Sequence, residues 1–158
     1  MKTTKSIRRN SPIPLSQCGV FLAAELIGDK WTLLILREAL YGVVRFDDML
    51  NDLGIPRAVL TARLKRLVEN DIMRRDPYRE ENSRTRYSYT LTDQGIELTP
   101  VIIALMQWGD RYLRNDAAPI SLMHKDTGNG LKVALVDEQS SALSINDITL
   151  KINDVEKR

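Results

Sequence analysis

The stretch GIPRAVLTARLKRLVENDIM, residues 54–73, carries two kinds of side chain at helical spacing. Large apolar residues recur at the spacing of helical turns, which predicts an amphipathic helix with one face in a protein core. That face comprises Leu60, Leu64, Leu67 and Val68. The opposite face is small and cationic and comprises Arg57, Ala58, Thr61, Ala62 and Lys65. The outward face is either simply solvated or contacts a partner that suits positive charge.

The residues in front of this helix predict a helix-turn-helix motif. FDDMLNDL, residues 46–53, is typical of a short helix. Gly54 suits the C-terminal end of that helix because glycine adopts the left-handed conformation without strain. Pro56 favours the first turn of the next helix, where its missing N–H is not needed. A short helix, a tight turn and a longer basic helix over about residues 56–70 together make the motif; we call the longer helix the recognition helix.

Two strand-like segments follow, IMRRDPY and TRYSYTL, within about residues 72–91. Both are rich in β-branched and aromatic residues, and the polar, charged loop REENSR separates them. We therefore predict a β-hairpin with an exposed tip. A helix-turn-helix motif followed directly by such a hairpin is a winged helix, and we call the hairpin the wing.

Two flanking segments are apolar around most of the helical circumference. Residues 16–27 form a first helix with Glu25 as its polar exception, and residues 92–113 form a long helix in which Pro100 either causes a kink or marks the true beginning. One small core cannot cover both helices, so we expect a two-fold homodimer; the alternative is that each helix covers the other within one chain. The expected interface residues are Val20, Phe21, Ala24, Ile102, Met106 and Trp108.

A further helix over residues 30–41 lies between the first helix and the helix-turn-helix motif. Asp29 is a plausible N-cap for it. Its core-facing residues are expected to be Trp31, Leu34, Ile35 and Leu40, with Arg37 and Glu38 pointing outward. The fold class is therefore mostly α with a small β component.

We divide the chain into three regions. Residues 1–14 are expected to form a flexible basic arm, and residues 15–115 a winged helix-turn-helix domain with N- and C-terminal dimerisation helices. Residues 116–158 contain short alternating segments that predict a small antiparallel β-appendage.

The composition excludes several classes of protein. Hydrophobic residues make up 43% and charged residues 28% of the chain, which is ordinary for a globular protein. No apolar run approaches the roughly 18 residues needed to span a bilayer, and no apolar signal segment follows the basic start, so we expect a cytoplasmic protein. The single cysteine and single histidine argue against a disulfide framework or a zinc site. No catalytic set or glycine-rich phosphate loop is evident, so we expect neither a cofactor nor an enzyme.

The charge distribution favours double-stranded DNA as the partner. Residues 56–90 hold nine Lys/Arg against five Asp/Glu, a net charge of +4, whereas the whole chain carries +2. The major groove is about 12 Å wide and admits one α-helix. Small residues would let the recognition helix approach closely, Thr61 and Lys65 would reach bases, and Arg57 lies at the end that enters first. The alternative is a winged helix that binds only proteins, which an acidic outward face would favour.

Other arginines are expected to contact the DNA backbone or an adjacent minor groove. Arg63 and Arg66 lie on the flank of the recognition helix, where they would contact phosphates or pair within the chain. The expected wing and backbone contacts are Arg45, Arg66, Arg79, Arg84 and Arg86.

The sequence resembles the HxlR-type transcriptional regulators, which are winged-helix dimers related to the MarR group. The resemblance runs from about Cys18 to Leu113 and rests on GDKW at 28–31, the Arg45–Phe46 pair, LTxRLxxL in the recognition helix and LTxxG at 91–95. It implies a repressor or activator that binds a near-palindromic operator. It also implies DNA contacts from the N-terminal half of the recognition helix and from the wing.

The resemblance raises a question about Cys18. Family members commonly have a cysteine about ten residues ahead of the GDKW glycine, and some use it to sense oxidants. A helix N-terminus stabilises a thiolate and so raises its reactivity. However, Gly19 stands where the family usually has proline, and a buried cysteine is often a small apolar filler. Thiol-based sensing and small-molecule sensing are therefore both open.

The extension departs from relatives that carry a module resembling a zinc ribbon. Thr127, Asp137 and Ser140 stand near the positions of that module's cysteines. The resemblance therefore implies a metal-free descendant, in which His124 is a lone surface or turn histidine. Two roles remain open for this extension: it could support the dimer, or it could host an effector pocket.

Overall fold

The computed structural model describes residues 11–81 and 83–153. The predicted basic arm therefore lies outside the described residues except for residues 11–14. Contacts divide the chain into two compact units: one comprises Ile27–Lys132, and the other combines the N-terminal segment up to Leu26 with the C-terminal segment from Val133. The sequence-based division at 115/116 differs from this one because local patterns do not reveal which distant segments make contact.

Helix α1 spans Gly19–Ile27 and follows a 3-10 turn at Leu15–Gln17. The predicted start at Ser16 is wrong because Cys18 has extended backbone, with φ −83° and ψ 115°. The carbonyl of Cys18 accepts the N–H of Leu22 at 3.0 Å, so this cysteine stands immediately before the helix.

Helix α2 spans Lys30–Leu40 and begins at the predicted cap. One carboxylate oxygen of Asp29 accepts the backbone N–H groups of Trp31 and Thr32, at 3.1 and 3.2 Å. The predicted outward orientation of Glu38 is wrong, since its side chain is buried. Arg37 donates to it through Nε at 3.0 Å. This neighbouring guanidinium balances the buried charge, which helical periodicity does not reveal.

The helix-turn-helix motif forms as predicted. Helix α3 spans Phe46–Leu53, and Gly54 ends it with φ 58°, in the left-handed region. Helix α4, the recognition helix, spans Arg57–Glu69 with Pro56 at its N-cap. The three leucines predicted to face the core, Leu60, Leu64 and Leu67, are at most 1% exposed. The inner face of α4 is therefore buried as predicted, and Met49 of α3 is buried as well.

The wing is an antiparallel hairpin of β1, Met73–Tyr78, and β2, Arg86–Leu91. Its register runs from Met73↔Leu91 to Tyr78↔Arg86. A single bridge joins Arg45 to Ser88, and the N–H of Tyr89 donates to the carbonyl of Val44 at 2.7 Å. These contacts attach the wing to the segment that leads into α3.

The predicted long helix over residues 92–113 is two helices. Helix α5, Asp93–Ile96, is capped by Thr92, whose hydroxyl accepts the N–H of Gly95 at 3.1 Å. Helix α6 spans Thr99–Tyr112 with Pro100 in its first turn, so Pro100 marks the beginning of this helix. Gly95 allows a close approach, because a Cβ atom there would lie 2.1 Å from the carbonyl oxygen of Ile72.

The predicted strands of the C-terminal extension do not form within its described part, residues 116–153. Only the isolated bridges Met123↔Gly130 and Val136↔Ala142 and a 3-10 turn at Ile145–Asp147 are present there. Polar side chains take up backbone donors locally: Asp137 accepts the N–H groups of residues 139 and 141. Such turns compete with strand pairing.

A membrane-spanning helix is not found in the described part of the chain, since none of its helices combines the necessary length and apolar character.

Candidate nucleic-acid interface

The outward face of α4 is accessible along its whole length. All five residues of the predicted contact face are exposed: Arg57, Ala58, Thr61, Ala62 and Lys65. Thr61 donates its hydroxyl hydrogen to the carbonyl of Arg57 at 2.9 Å, which leaves the oxygen lone pairs available. Lys65 lies 3.6 Å from Glu69 in an exposed pair. Exposed pairs of this kind contribute little stability, so the ammonium group is free to exchange partners.

Arg63, on the flank of α4, pairs within the chain. Its Nε donates to a carboxylate oxygen of Asp29 at 3.0 Å, which connects α4 to the start of α2. Burial alone would raise the pKa of Asp29, but hydrogen bonds from Thr32 and Arg63 outweigh it and hold the pKa below the usual 3.8. Of the two roles predicted for this arginine, the structure therefore favours the intramolecular one. Arg66 is exposed.

The wing arginines have different surroundings. Arg79 donates to the carbonyl of Ser83 at 2.9 Å and so shapes the wing loop, while Arg84 is exposed in that loop. Arg45 is already engaged: its guanidinium lies 2.8 Å from Glu80 and 5.0 Å from the ring centre of Tyr78. A DNA contact by Arg45 would therefore have to compete with these partners.

An open cleft of ≈ 330 Å³ lies between the start of α3, the start of α4 and the wing. Its charged lining residues are Arg57, Arg84, Arg86 and Asp47. Asp47 is the residue that sequence reasoning missed, because its partners are 10 and 39 positions away. No local pattern signals such contacts.

The phenol of Tyr89 also lines this cleft. Burial raises its pKa, although nearby Arg75 acts in the opposite direction. Arg75 itself lies 3.4 Å from the ring centre of Tyr87.

Helix α6 carries exposed apolar residues at successive turns of one face. We call this set, Val101, Leu105, Trp108 and Tyr112, the apolar stripe; its members are 44–64% exposed. Of the interface residues predicted on this helix, Trp108 lies in the stripe, whereas Ile102 is buried in the chain's own core. Met106 is half-buried, and the hydroxyl of Tyr41 contacts its sulfur at 3.7 Å.

The remaining predicted interface residues lie on α1. Val20 is 77% exposed, Ala24 is exposed and Phe21 is half-buried. Cys18, before the helix, is a half-buried free thiol.

His124 is a turn histidine, as predicted. Its Nδ1 accepts the backbone N–H groups of Asp126 and Thr127 at 3.2 and 3.3 Å. Within the described residues, no cluster of three or more His, Cys, Asp or Glu side chains is placed to hold a metal ion.

The buried core of the helix-turn-helix, the exposed basic face of α4 and the attached hairpin define a winged helix-turn-helix protein. The sequence signature of the HxlR-like helix-turn-helix family matches residues 26–117, and the chain belongs to this family. The resemblance drawn from GDKW and LTxRLxxL is therefore confirmed. The family consists of transcriptional regulators rather than enzymes.

Known proteins similar to this chain agree with that assignment. An uncharacterised HTH-type transcriptional regulator from Mycobacterium tuberculosis is 49% identical over 107 residues, which cover 67% of this chain and 66% of the relative. The match thus spans just under two thirds of that relative's length. The crystal structure of PA1607, a candidate transcription factor, has a TM-score of 0.76 and 31% identity, covering 87% of this chain and 96% of PA1607. A second candidate transcription factor, PA1374 from Pseudomonas aeruginosa, has a TM-score of 0.60 and 27% identity, covering 89% and 95%.

Proposed function

We propose that this protein regulates transcription by binding a near-palindromic DNA operator as a homodimer. In this proposal the recognition helix α4 enters the major groove, and the wing lies on the backbone or in an adjacent minor groove. The observation that carries the proposal is the exposed α4 face with small residues at its centre and cationic residues at its ends.

The composition of this face suits a groove better than it suits a protein surface. Ala58 and Ala62 lack bulk, so the helix backbone can approach the base edges closely. Thr61 and Lys65 can then bond to bases, because a hydroxyl and an ammonium group match the acceptors in the major groove. A protein-binding face would instead bury large apolar side chains at its centre, and α4 exposes none of these.

Dimerisation is supported by the apolar stripe on α6. Its four members follow each other at spacings of four, three and four residues, which is the spacing of a helix–helix seam. Soluble proteins rarely leave such a continuous apolar surface in water. A second copy of the same chain would cover it through a two-fold axis. That axis would present two recognition helices to successive major grooves.

Thiol sensing at Cys18 stays a prediction. Its half-buried sulfur precedes α1, where Val20 and Leu22 are exposed. An adduct on the sulfur would add bulk beside these apolar residues and would so affect any interface they form.

Selection of bound fragments from genomic DNA tests the proposed function. We expect enrichment of a small set of near-palindromic sequences with half-sites about one helical turn apart. Affinity for them should fall by roughly 10³–10⁵ between 50 and 200 mM salt if about six to ten phosphates are contacted. Failure to enrich any sequence, together with binding that does not respond to salt, would contradict the proposal.

The same selection repeated with diamide tests the sensor prediction. A working sensor would lose or change its operator binding under oxidation, and Cys18→Ser would abolish that response. If wild type and Cys18→Ser respond alike, Cys18 is not a sensor.

A further inference from the structure

Asp47 lies between two arginines that belong to different parts of the proposed DNA interface. Its Oδ1 accepts a hydrogen bond from Nη2 of Arg57, the first residue of α4, at 3.1 Å. Its Oδ2 lies 4.0 Å from Nη1 of Arg86, the first residue of β2 in the wing. One carboxylate therefore connects the recognition helix to the wing.

The cleft around this carboxylate is strongly cationic. Arg57, Arg84 and Arg86 line it, and Asp47 is the single acid among its lining residues. The lining thus carries a net charge of +2 with Asp47 ionised and would carry +3 without it. The guanidinium of Arg57 also lies 5.0 Å from the ring centre of Phe46, which lines the same cleft.

A carboxylate and a phosphodiester offer similar groups to arginine. Each carries one negative charge spread over two oxygens, and guanidinium groups bind either one with paired N–H donors. The side chains of Asp47, Arg57 and Arg86 are 44–64% exposed. Exposed ion pairs are weak and readily exchanged, so a phosphate could displace the carboxylate. Tyr89 lines the same cleft.

We propose that this cleft is a phosphodiester site of the DNA interface, shared by α4 and the wing, and that Asp47 occupies it when DNA is absent. This inference rests on the proposed function. A backbone phosphate binds by displacing the carboxylate from Arg57 and Arg86. Asp47 thereby lowers the affinity for DNA of any sequence, and only a duplex that also makes base contacts overcomes this cost.

The chain offers a matched control. Asp48 is the next residue, is exposed and also lies in the first turn of α3. Asp47→Asn and Asp48→Asn therefore make the same change in net charge and in the interaction with the α3 dipole. Only the first change removes the negative charge that pairs with Arg57 and Arg86. Both sites are on the surface, and thermal unfolding of each variant verifies that the fold is retained.

The experiment measures binding of full-length protein to a fluorescein-labelled duplex of mixed sequence, by anisotropy, between about 50 and 200 mM KCl. We expect Asp47→Asn to bind about three- to tenfold more tightly than Asp48→Asn at the low end of this range, the size expected for one charge a few ångströms from a phosphate in water. The slope of log K against log salt should steepen by about 0.9 for each phosphate gained. Asp47→Glu, which keeps the charge, should stay close to wild type.

Each remaining outcome overturns the inference. Equal effects of Asp47→Asn and Asp48→Asn on affinity would show that only net charge matters. In that case salt-dependent binding of DNA by the wild-type protein would still support the proposed function. Weaker binding by Asp47→Asn would show that the carboxylate positions the wing instead of occupying a phosphate site. Absence of salt-dependent binding by all the proteins would contradict the proposed function as well.

Discussion

Helices α4 and α6 have the same general design but opposite outward chemistry. Each buries one side in the core of the same unit, through Leu64 in α4 and Ile102 in α6. On its other side α4 exposes small and cationic residues, whereas α6 exposes a stripe of large apolar ones that includes Leu105 and Trp108. Burial of the inner faces explains the fold of both helices, but it does not explain their outer faces.

The difference indicates two kinds of partner. Removing apolar surface from water lowers the free energy by about 25 cal/mol per Å². The α6 stripe therefore favours contact with another apolar surface. Cationic residues lose hydration when they are buried, and ion pairs with anions are needed to compensate for that loss. The α4 face therefore favours a polyanion, and the two faces together fit the proposed function.

The largest expected effect comes from placing a charge in the apolar stripe. Leu105→Glu would bury an uncompensated carboxylate, and a two-fold axis would place two copies in the interface. We expect a weakening of dimerisation by about 3–5 kcal/mol for each copy, measured by analytical ultracentrifugation. Arg111→Glu introduces the same side chain on the same helix outside the stripe and should leave association nearly unchanged. Equal effects of the two variants on association would show that the apolar stripe of α6 is not the dimer interface.

The next effect separates the two faces of α4. Leu64 is 1% exposed, so Leu64→Ala should leave a cavity and lower the free energy of unfolding by about 2–5 kcal/mol. Lys65→Ala, one residue along, should change it by less than about 0.5 kcal/mol. Urea denaturation measures both. A large loss for Lys65→Ala would mean that the outward face has a structural role.

A smaller effect is expected on sequence discrimination. Thr61→Ala and Lys65→Ala should each reduce the preference for the selected operator over a variant with one base pair changed, by about 1–3 kcal/mol. Arg84→Ala should instead weaken binding to all sequences alike and reduce the salt slope by about 1. Competition titrations compare these variants. If Arg84→Ala altered the base preference and Lys65→Ala did not, the assigned roles would be reversed.

The smallest effect concerns pH and the contact between Asp29 and Arg63. The pKa of Asp29 is held below 3.8 in the folded chain, so its ionised form stabilises the fold above that pH. This stabilisation is lost as the pH falls through the folded-state pKa. Asp29→Asn keeps a capping side chain but not the charge, and it should cost at most about 1 kcal/mol near neutral pH.

Unfolding measured at successive pH values checks this difference. Wild type and Asp29→Asn should converge in stability as the pH falls below 3.8. A gap that stayed constant down to strongly acidic pH would show that ionisation of Asp29 does not contribute.

Much of the fold could be predicted because its signals are local. Asp29, Gly54 and Thr92 each act on backbone groups within a few residues, so the end of a helix is readable from its own sequence. The alternation of leucines with small and basic residues in α4 likewise predicted which face would be buried. The candidate contact residues of the recognition helix came from the same pattern.

The failures involve contacts between distant residues or competition among local ones. Apolar residues cover most of the circumference of α6, so only packing shows that Ile102 is buried while Leu105 is exposed. The strands expected in the extension were displaced by turns around His124 and Asp137. Asp47 gave no signal, since one acid in a short helix is usually a solvated side chain.

The sequence by itself determined the helices, the turn between α3 and α4, the wing and the basic character of the recognition helix. These features depend on backbone preferences and on the helical repeat, which act over a few residues. Only the tertiary structure decided which apolar residues of α6 remain exposed, that Glu38 is buried, and that Asp47 meets both Arg57 and Arg86. Burial and ion pairing depend on distances between remote segments, and those distances exist only once the chain has folded.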